Sequence, residues 1–365
     1  MGEWGSITLG VCTESLDYGM NAAAMKFDGE NRYIRITDID ESSSIYKSYA
    51  PVSPNAELSD KYLVQEGNIL FARTGAGTGR TYLYNINDGK LYFAGFLIRA
   101  RIKKTYNAYF IFIQTQTSTY DKWVKLMSMR SGQPGINSQE YASFKLNIPI
   151  KGEQDKIASF LSLIDCRIQT QNKIIEELKS LKNTIRYRLL TQILNEENEL
   201  VQIKDVLNYE QPIKYLVLNT DYSSDNSLIP VLTANKAFVL GYTDEDLGVY
   251  NKEECIIFDD FTMDMKFVNF SFKVKSSAIK ILTAKPNINL KFIFEYLSFL
   301  DLSSNEHKRH YISEIEPMEI TMPDCQKQHQ IANILSSIEQ KIKIEYEIHI
   351  LLIKQKQYLL ANLFI

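Results

Sequence analysis

IPIKGEQDKIASFLSLIDCRI (Ile148–Ile168) returns 174 residues later as MPDCQKQHQIANILSSIEQKI (Met322–Ile342). Eight of the 21 positions are identical without a gap, among them Pro149/Pro323, Gln154/Gln328, Ala158/Ala332 and Ser162/Ser336. A repeat at fixed offset signals a duplicated architecture. Both copies open a helical pattern. From Ile157 the apolar positions step by four and three through Leu161, Ile164, Ile168, Ile175, Leu178, Ile185 and Leu189. The second copy runs Ile331, Leu335, Ile338, Ile342, Leu352, Leu359 and Leu363. This is a heptad seam, the spacing that packs one helix along another. Polar residues interrupt it at matching places, Gln171 and Lys182 in the first copy and Glu345 and Lys356 in the second, with His349 a further break. Polar seam positions fix register at a cost in stability. Pro149 and Pro323 stand just ahead of the seams, where proline disturbs no established ladder. The first helix is expected from about Glu153 to Asn195, a rod of about 60 Å at 1.5 Å per residue.

Working outward, the stretches ahead of each helix read as mixed helix and strand. Tyr33–Ile36, Asn68–Ala72, Thr81–Tyr84 and Phe96–Ile102 are strand-like, and Asn107–Met127 has helical spacing. In the second half Ile229–Thr233, Cys255–Phe258, Val268–Val274 and Ala278–Leu282 read as strands and Leu290–Leu300 as a helix. These runs are rich in β-branched and aromatic residues and are bounded by Gly, Asn and Asp. The expected fold class is α+β (α/β), with globular units at 1–150 and 199–323 and helices at 151–198 and 324–365. The helices are alike while the globular units diverge, which suits one scaffold presenting two surfaces.

The composition narrows the class. The 365 residues are 45% hydrophobic and 23% charged, enough apolar material for two or three domains and against wholesale disorder. The start, MGEWGSITLG, has no basic and apolar leader pattern. No window reaches ~18 uninterrupted apolar residues. The richest, Leu290–Leu302, is broken by Lys291, Glu295 and Asp301. Cys12, Cys166, Cys255 and Cys325 are scattered and form no Cys-x-x-Cys, so a reducing, cytoplasmic setting without membrane contact is expected.

The chain resembles the specificity (S) subunits of type I restriction-modification systems over essentially its whole length. The resemblance rests on Gly67-Asn-Ile-Leu-Phe-Ala-Arg-Thr-Gly75, Ser131-Gly-Gln-Pro-Gly-Ile136, and Ile148-Pro149 with Glu153-Gln154 and the seam after them. In the second half it rests on Ile229-Pro-Val-Leu-Thr233, Ile256-Ile-Phe-Asp-Asp260 and the Pro323–Ile342 block. Each motif alone is unspecific; their order and duplication carry the likeness. The resemblance implies two target recognition domains that each read half of a split site on double-stranded DNA. It implies an antiparallel helix pair that sets the spacing, and a subunit without catalytic activity or cofactor. It also implies two adenine-methylating (M) subunits docked on it, with restriction-translocase (R) subunits completing the complex.

Individual residues suggest where contact is made. Arg73-Thr-Gly-Ala-Gly-Thr-Gly-Arg80 has glycines that permit close backbone approach, and Arg73 and Arg80 suit phosphate or guanine. Thr74, Gly75, Thr78 and Gly79 belong to the same candidate loop. A nucleotide-binding glycine loop needs a helix directly after it, whereas Thr81–Tyr84 reads as a strand. Arg130 and Gln133 form a second candidate loop, with Asn137 and Glu140 a capping box behind it. In the second unit the candidates are Thr233, Asn235, Lys236, Tyr242 and Lys266, with His307, Lys308 and Arg309 at the place equivalent to Arg130. His307 and His310 sit three apart, a spacing that can bind metal on a helix, but a basic contact loop is the expected reading. Asp260, Asp264 and Lys266 have the residue types of a magnesium-dependent nuclease, but Asp260 and Asp264 are too close for the usual hairpin between them. A DNA nuclease and a coiled-coil scaffold without a DNA role are the competing readings.

The whole-chain charge of −3 argues at first against DNA. It is unevenly spread. Residues 1–151 carry 17 Lys and Arg against 14 Asp and Glu, whereas residues 201–323 carry 12 against 18. Phosphate affinity follows local Lys/Arg contacts, so a mildly basic first unit is compatible with DNA reading inside a complex.

Overall fold

A fully buried, mostly apolar strand organises each half of the chain. Asn68–Ala72 and Cys255–Asp259 are buried at every position, as a strand covered on both faces must be. The computed structural model describes residues 4–129, 132–234, 237–302 and 308–364. They fold as two units, Met1–Asn172 with Glu347–Ile365, and Lys173–Tyr346.

In the first unit Asn68–Ala72 lies between Leu97–Ile102 and Thr81–Leu83, with Thr13–Tyr18 at the edge beyond Leu97–Ile102. In the second, Cys255–Asp259 lies between Ile279–Ala284 and Met265–Val268, with Leu207–Glu210 beyond. The strand order is the same in both, and all pairs are antiparallel. Each unit also closes a short ribbon against the strand that leads into its helix: Gly5–Thr8 with Lys145–Ile148, and Glu199–Gln202 with Glu319–Met322. The duplication therefore extends through both sheets, although only the helical block betrays it in sequence.

The units diverge outside this shared frame. The first adds a ribbon of Ala23–Lys26 with Val52–Asn55 and a parallel pair, Arg32–Ile34 with Leu91–Phe93. The second adds a three-stranded sheet of Val239–Thr243, Ile229–Leu232 and Lys273–Val274. Two sequence expectations change here. Asn107–Met127 is two helices, Ala108–Gln114 and Ser118–Met127, because the Thr117 hydroxyl caps a new start by accepting the Tyr120 N–H. Val268–Val274 is not one strand. Met265–Val268 and Lys273–Val274 belong to different sheets, and Phe272 between them exchanges backbone hydrogen bonds with Tyr250.

The long helices are Lys151–Asn195, 45 residues, and Cys325–Leu363, 39 residues. Within the first unit Ala158, Leu161, Ile164 and Leu360 join Ile69, Phe71, Ile98, Phe110 and Ile113 in one core. Within the second, Leu190, Ile193, Ile331 and Leu335 join Ile256, Phe258, Leu282, Phe292 and Ile293. The pairing is antiparallel, as Lys182 meets Glu339 at 3.2 Å and Lys327 meets Glu196 within the second unit. Within the first unit Lys356 meets Asp165 at 2.6 Å. Lys182 and Lys356, like Asp165 and Glu339, are repeat equivalents, so this cross-helix ion pair recurs in each unit. Lys182 has a second role: with Arg186 and Lys291 it surrounds the fully buried Glu295. Burying that carboxylate demands such pairing.

The identical glutamines now have a reason. Gln154, 2% exposed, accepts the Asn107 N–H through Oε1 at 3.0 Å and donates through Nε2 to the Pro149 carbonyl at 2.9 Å. Gln328, also 2% exposed, does the same with Asn289 and Pro323 at 3.0 and 2.9 Å. Asn107 and Asn289 are the N-caps of the globular helices Ala108–Gln114 and Leu290–Phe299. One amide thus ties the cap of a globular helix to the turn that starts a long helix. Gln154→Ala or Gln328→Ala leaves a buried N–H and a buried C=O unpaired. Each should cost roughly 1–3 kcal/mol in urea unfolding, and Gln→Glu should be no rescue, since it removes the donor.

Candidate functional site

The glycine-rich loop of the first unit spans the turn between Asn68–Ala72 and Thr81–Leu83. Two buried tyrosines hold its ends. Tyr141 donates to the Ala72 carbonyl at 2.7 Å and Tyr120 to the Gly79 carbonyl at 2.9 Å. Burial pushes both phenols above their usual range, which keeps them protonated as donors. Gly79 has φ +93°, and a Cβ there would stand 2.5 Å from Val124 Cγ1. Only glycine satisfies both conditions.

The second candidate loop is brought against the first. The Gly75 N–H donates to the Pro134 carbonyl at 3.0 Å, and the Ile136 N–H donates to the Arg73 carbonyl at 2.9 Å. Thr74 bridges to Gly135, and the Thr78 hydroxyl donates to the Gly75 carbonyl at 2.7 Å. The exposed Gln133 amide lies so close that a Cβ on Gly75 would be 3.0 Å from its Nε2. Arg73, Thr74, Gly75, Thr78 and Gln133 therefore lie together, whereas Gly79 is buried against Val124; the Asn137–Glu140 capping box forms behind the loop as expected. Arg80 turns to Glu41, with 2.5 Å between Nη2 and Oε2. Arg130 lies outside the described residues.

Tyr18 was invisible in the sequence pattern and is central to the geometry. Its ring lies 5.0 Å under the Arg73 guanidinium, and its Oη accepts the Ser138 N–H at 3.2 Å. The Ser138 hydrogen bond and the nearby Arg73 charge hold the phenol below its usual value. Tyr18 also borders a depression of about 420 Å³ lined by Leu16, Asp17, Lys61, Tyr62, Arg99 and Arg101.

The second unit repeats the docking with different chemistry. The Asp260 N–H donates to Ala278 and the His310 N–H donates to Asp260, as Arg73 N–H donates to Phe96 and Ile136 N–H to Arg73. Asp260 thus stands where Arg73 stands in the first unit. Its carboxylate is 2% exposed, accepts the N–H groups of His310 and Tyr311, and lies 3.3 Å from Lys280 Nζ. Met263 occupies the place of Gly79, with φ +61° and its side chain in the core.

The remaining candidates are dispersed. Lys266 sits on Met265–Val268 opposite Ile257, and Tyr242 on Val239–Thr243 opposite Pro230. Lys308 pairs with Glu314 at 2.8 Å, and Arg309 is exposed. Thr233 lines a depression of about 480 Å³ with Leu240, Asp259, Lys275, Ser276 and Ser277. Asn235, Lys236 and His307 lie outside the described residues. Among the described residues no group of three or more His, Cys, Asp or Glu gathers as metal ligands. No described helix is long and apolar enough to cross a membrane.

Two α/β units of one topology, each joined to a long helix and each carrying a different loop surface, define a duplicated recognition scaffold. The chain belongs to the type I restriction modification DNA specificity domain family, whose model matches residues 16–180 and again 195–352. It is similar to the specificity subunit of the type I restriction enzyme EcoR124I/EcoR124II of Escherichia coli, at 44% identity over 133 residues. That match covers 35% of this chain and 33% of the relative's length. It is also 24% identical over 325 residues to the putative type I restriction enzyme MjaX specificity subunit of Methanocaldococcus jannaschii, covering 78% and 74%. Among solved structures, the type I restriction-modification S subunit from M. genitalium superposes with a TM-score of 0.67 at 13% identity, over 100% of this chain and 96% of that one. A second, from a study of complex assembly and conformational transition of the type I R-M system, gives 0.51 at 12% identity, over 99% and 97%. At these identities the structures show a shared fold.

The loop anchoring gives a direct test. Gly79→Ala should destabilise the chain by roughly 1–3 kcal/mol in denaturant unfolding, from the left-handed backbone and the Val124 clash together.

Proposed function

We propose that each unit reads one half of a bipartite site on double-stranded DNA, and that the chain itself is not an enzyme. The observation that carries this reading is the docking of two loops in each unit. It is built by equivalent backbone bonds in both, yet it presents Arg73, Gln133 and Tyr18 in one unit and, over a buried Asp260, the Lys308–Arg309 turn in the other. A constant frame with exchanged side chains is what two different half-sites require. Direct readout would come from loop side chains, with phosphate contacts placing each unit.

In this reading the recognition domains are residues 1–150 and 199–323, and the helices at 151–198 and 324–365 set the half-site spacing. They also dock two adenine methyltransferase subunits, with restriction-translocase subunits completing the assembly. The reading places the complex in the cytoplasm. Relatives named as specificity subunits and a neighbour from an assembly study support it. Asp260 is poorly suited to holding magnesium, since its carboxylate is already committed to Lys280 and two backbone N–H groups.

Methylome sequencing of cells expressing the chain with its methyltransferase partner tests the proposal. A single bipartite adenine-methylated motif is expected, and its absence overturns the reading. Inserting one heptad in both helices should lengthen the spacer by about three base pairs, because seven residues add about 10 Å. The isolated chain should bind DNA weakly and with steep salt dependence.

A further inference from the structure

We propose that the depression beside Tyr18 is a seat for a DNA backbone phosphate, which gives the first unit a sequence-neutral anchor next to its reading loop. The inference rests on the DNA-reading role proposed above and names a contact that the sequence pattern did not suggest.

The floor is the edge of the sheet, where Thr13–Tyr18 pairs with Leu97–Ile102. Arg99, 1% exposed, is locked in place: its Nη1 donates to the Leu63 carbonyl at 2.7 Å and its Nη2 to Asp17 Oδ2 at 2.9 Å. Its guanidinium also lies 4.9 Å from the centre of the Phe93 ring. Tyr62 packs edge-on against that ring, and Lys61 Nζ sits 4.7 Å over Tyr62. Arg101 stands beside Arg99, 3.4 Å from Asp17 and with 38% of its side chain exposed. Arg73 completes the group across the Tyr18 ring.

Arg99 and Arg101 contact the carboxylate of Asp17, with Lys61 in the lining of the depression and Arg73 over the Tyr18 ring. Burial opposes ionisation of Asp17, but the hydrogen bonds from Arg99 and Ser15 outweigh it and hold the carboxyl below its usual range. Asp17 therefore stays charged and still leaves the lining, with Lys61, Arg99 and Arg101, about two positive charges in excess. Acceptors are short as well. The Nε atoms of Arg73 and Arg99 are buried without a hydrogen-bond partner among the described residues, and that of Arg101 has only its 3.4 Å ion pair with Asp17. Those atoms are closed to solvent, so a ligand meets instead the positive charge of the cluster and the open N–H groups of Arg101 and Lys61, which favour an anion that brings acceptors only. A phosphodiester oxygen pair meets that description, and Arg101, Lys61 and the Tyr18 hydroxyl are the groups within its reach.

The second unit has a different surface at the same place. Arg99 pairs across to Leu70 in the first sheet, and Ile281 pairs to Ile257 in the second. By that register Ile281 and Thr283 replace Arg99 and Arg101. The seat belongs to the first unit, which also carries the positive charge balance.

The test uses the full chain assembled with its methyltransferase partners and a duplex carrying the methylated motif. Dissociation constants are measured across a salt series for wild type, Arg101→Gln, Lys61→Gln and Arg101→Lys. Each glutamine variant should weaken binding and flatten the log–log salt slope by about one, equally for every single-base variant of the site. Arg101→Lys, which keeps the charge, should restore the slope. Wild-type slopes in both glutamine variants overturn the seat. So does a loss confined to one base pair, which would make the cluster a base reader. If the wild-type complex itself recognises no bipartite site, it is the DNA-reading role that fails.

Discussion

A single buried amide at the start of each long helix is the joint on which the architecture depends. Gln154 and Gln328 each accept from the N–H of a capping asparagine and donate to the carbonyl of the preceding proline. A long helix joined to a globular unit by a flexible turn would transmit no orientation. The glutamine removes that freedom by satisfying two backbone groups that would otherwise be stranded away from water. The apolar seam then extends from a fixed origin. Ala158 and Ala332, one turn further on, are buried and leave room for the globular core to approach. Pro149, Gln154 and Ala158, identical to Pro323, Gln328 and Ala332 in the repeat, fall where this joint is built.

Outside the joint, the same topology tolerates different chemistry because its backbone bonds do not depend on side chains. Arg73 and Asp260 hold equivalent positions with equivalent amide partners. One side chain stacks on Tyr18 at the surface, and the other is buried against Lys280. Gly79 and Met263 likewise share a left-handed backbone, which the first unit meets with glycine and the second by burying the side chain in its core. The two units can therefore diverge in charge, mildly basic against clearly acidic, without altering the frame.

Much of the long-range plan was legible in the chain. The heptad seams, their polar breaks, Asn68–Ala72, the helix after Asn289 and the Asn137–Glu140 box all carry local signals: periodicity, apolar runs and capping residues. The Arg73–Arg80 loop stood out by its glycines. Less legible were elements whose identity depends on a distant partner. The break at Thr117 inside a continuous helical pattern, and the parting of Met265–Val268 from Lys273–Val274, are settled by which sheet or core each piece joins. Tyr18, Lys61, Arg99 and Arg101 carried no motif, being ordinary residues on two strands and a turn.

The sequence by itself determined the duplication, the two helices and the assignment of charge to each half, because periodicity and composition are properties of neighbours along the chain. Only the tertiary structure decided which residues meet. Strand pairing brings Asp17 to Arg99, and loop docking brings Gln133 to Gly75, across 82 residues in the first case. It also decided which charges are committed: Asp260 and Lys182 are consumed by partners, whereas Arg101 and Lys61 reach solvent. Burial and pairing set the free energy of a charged group, and neither is written in the residue's own name.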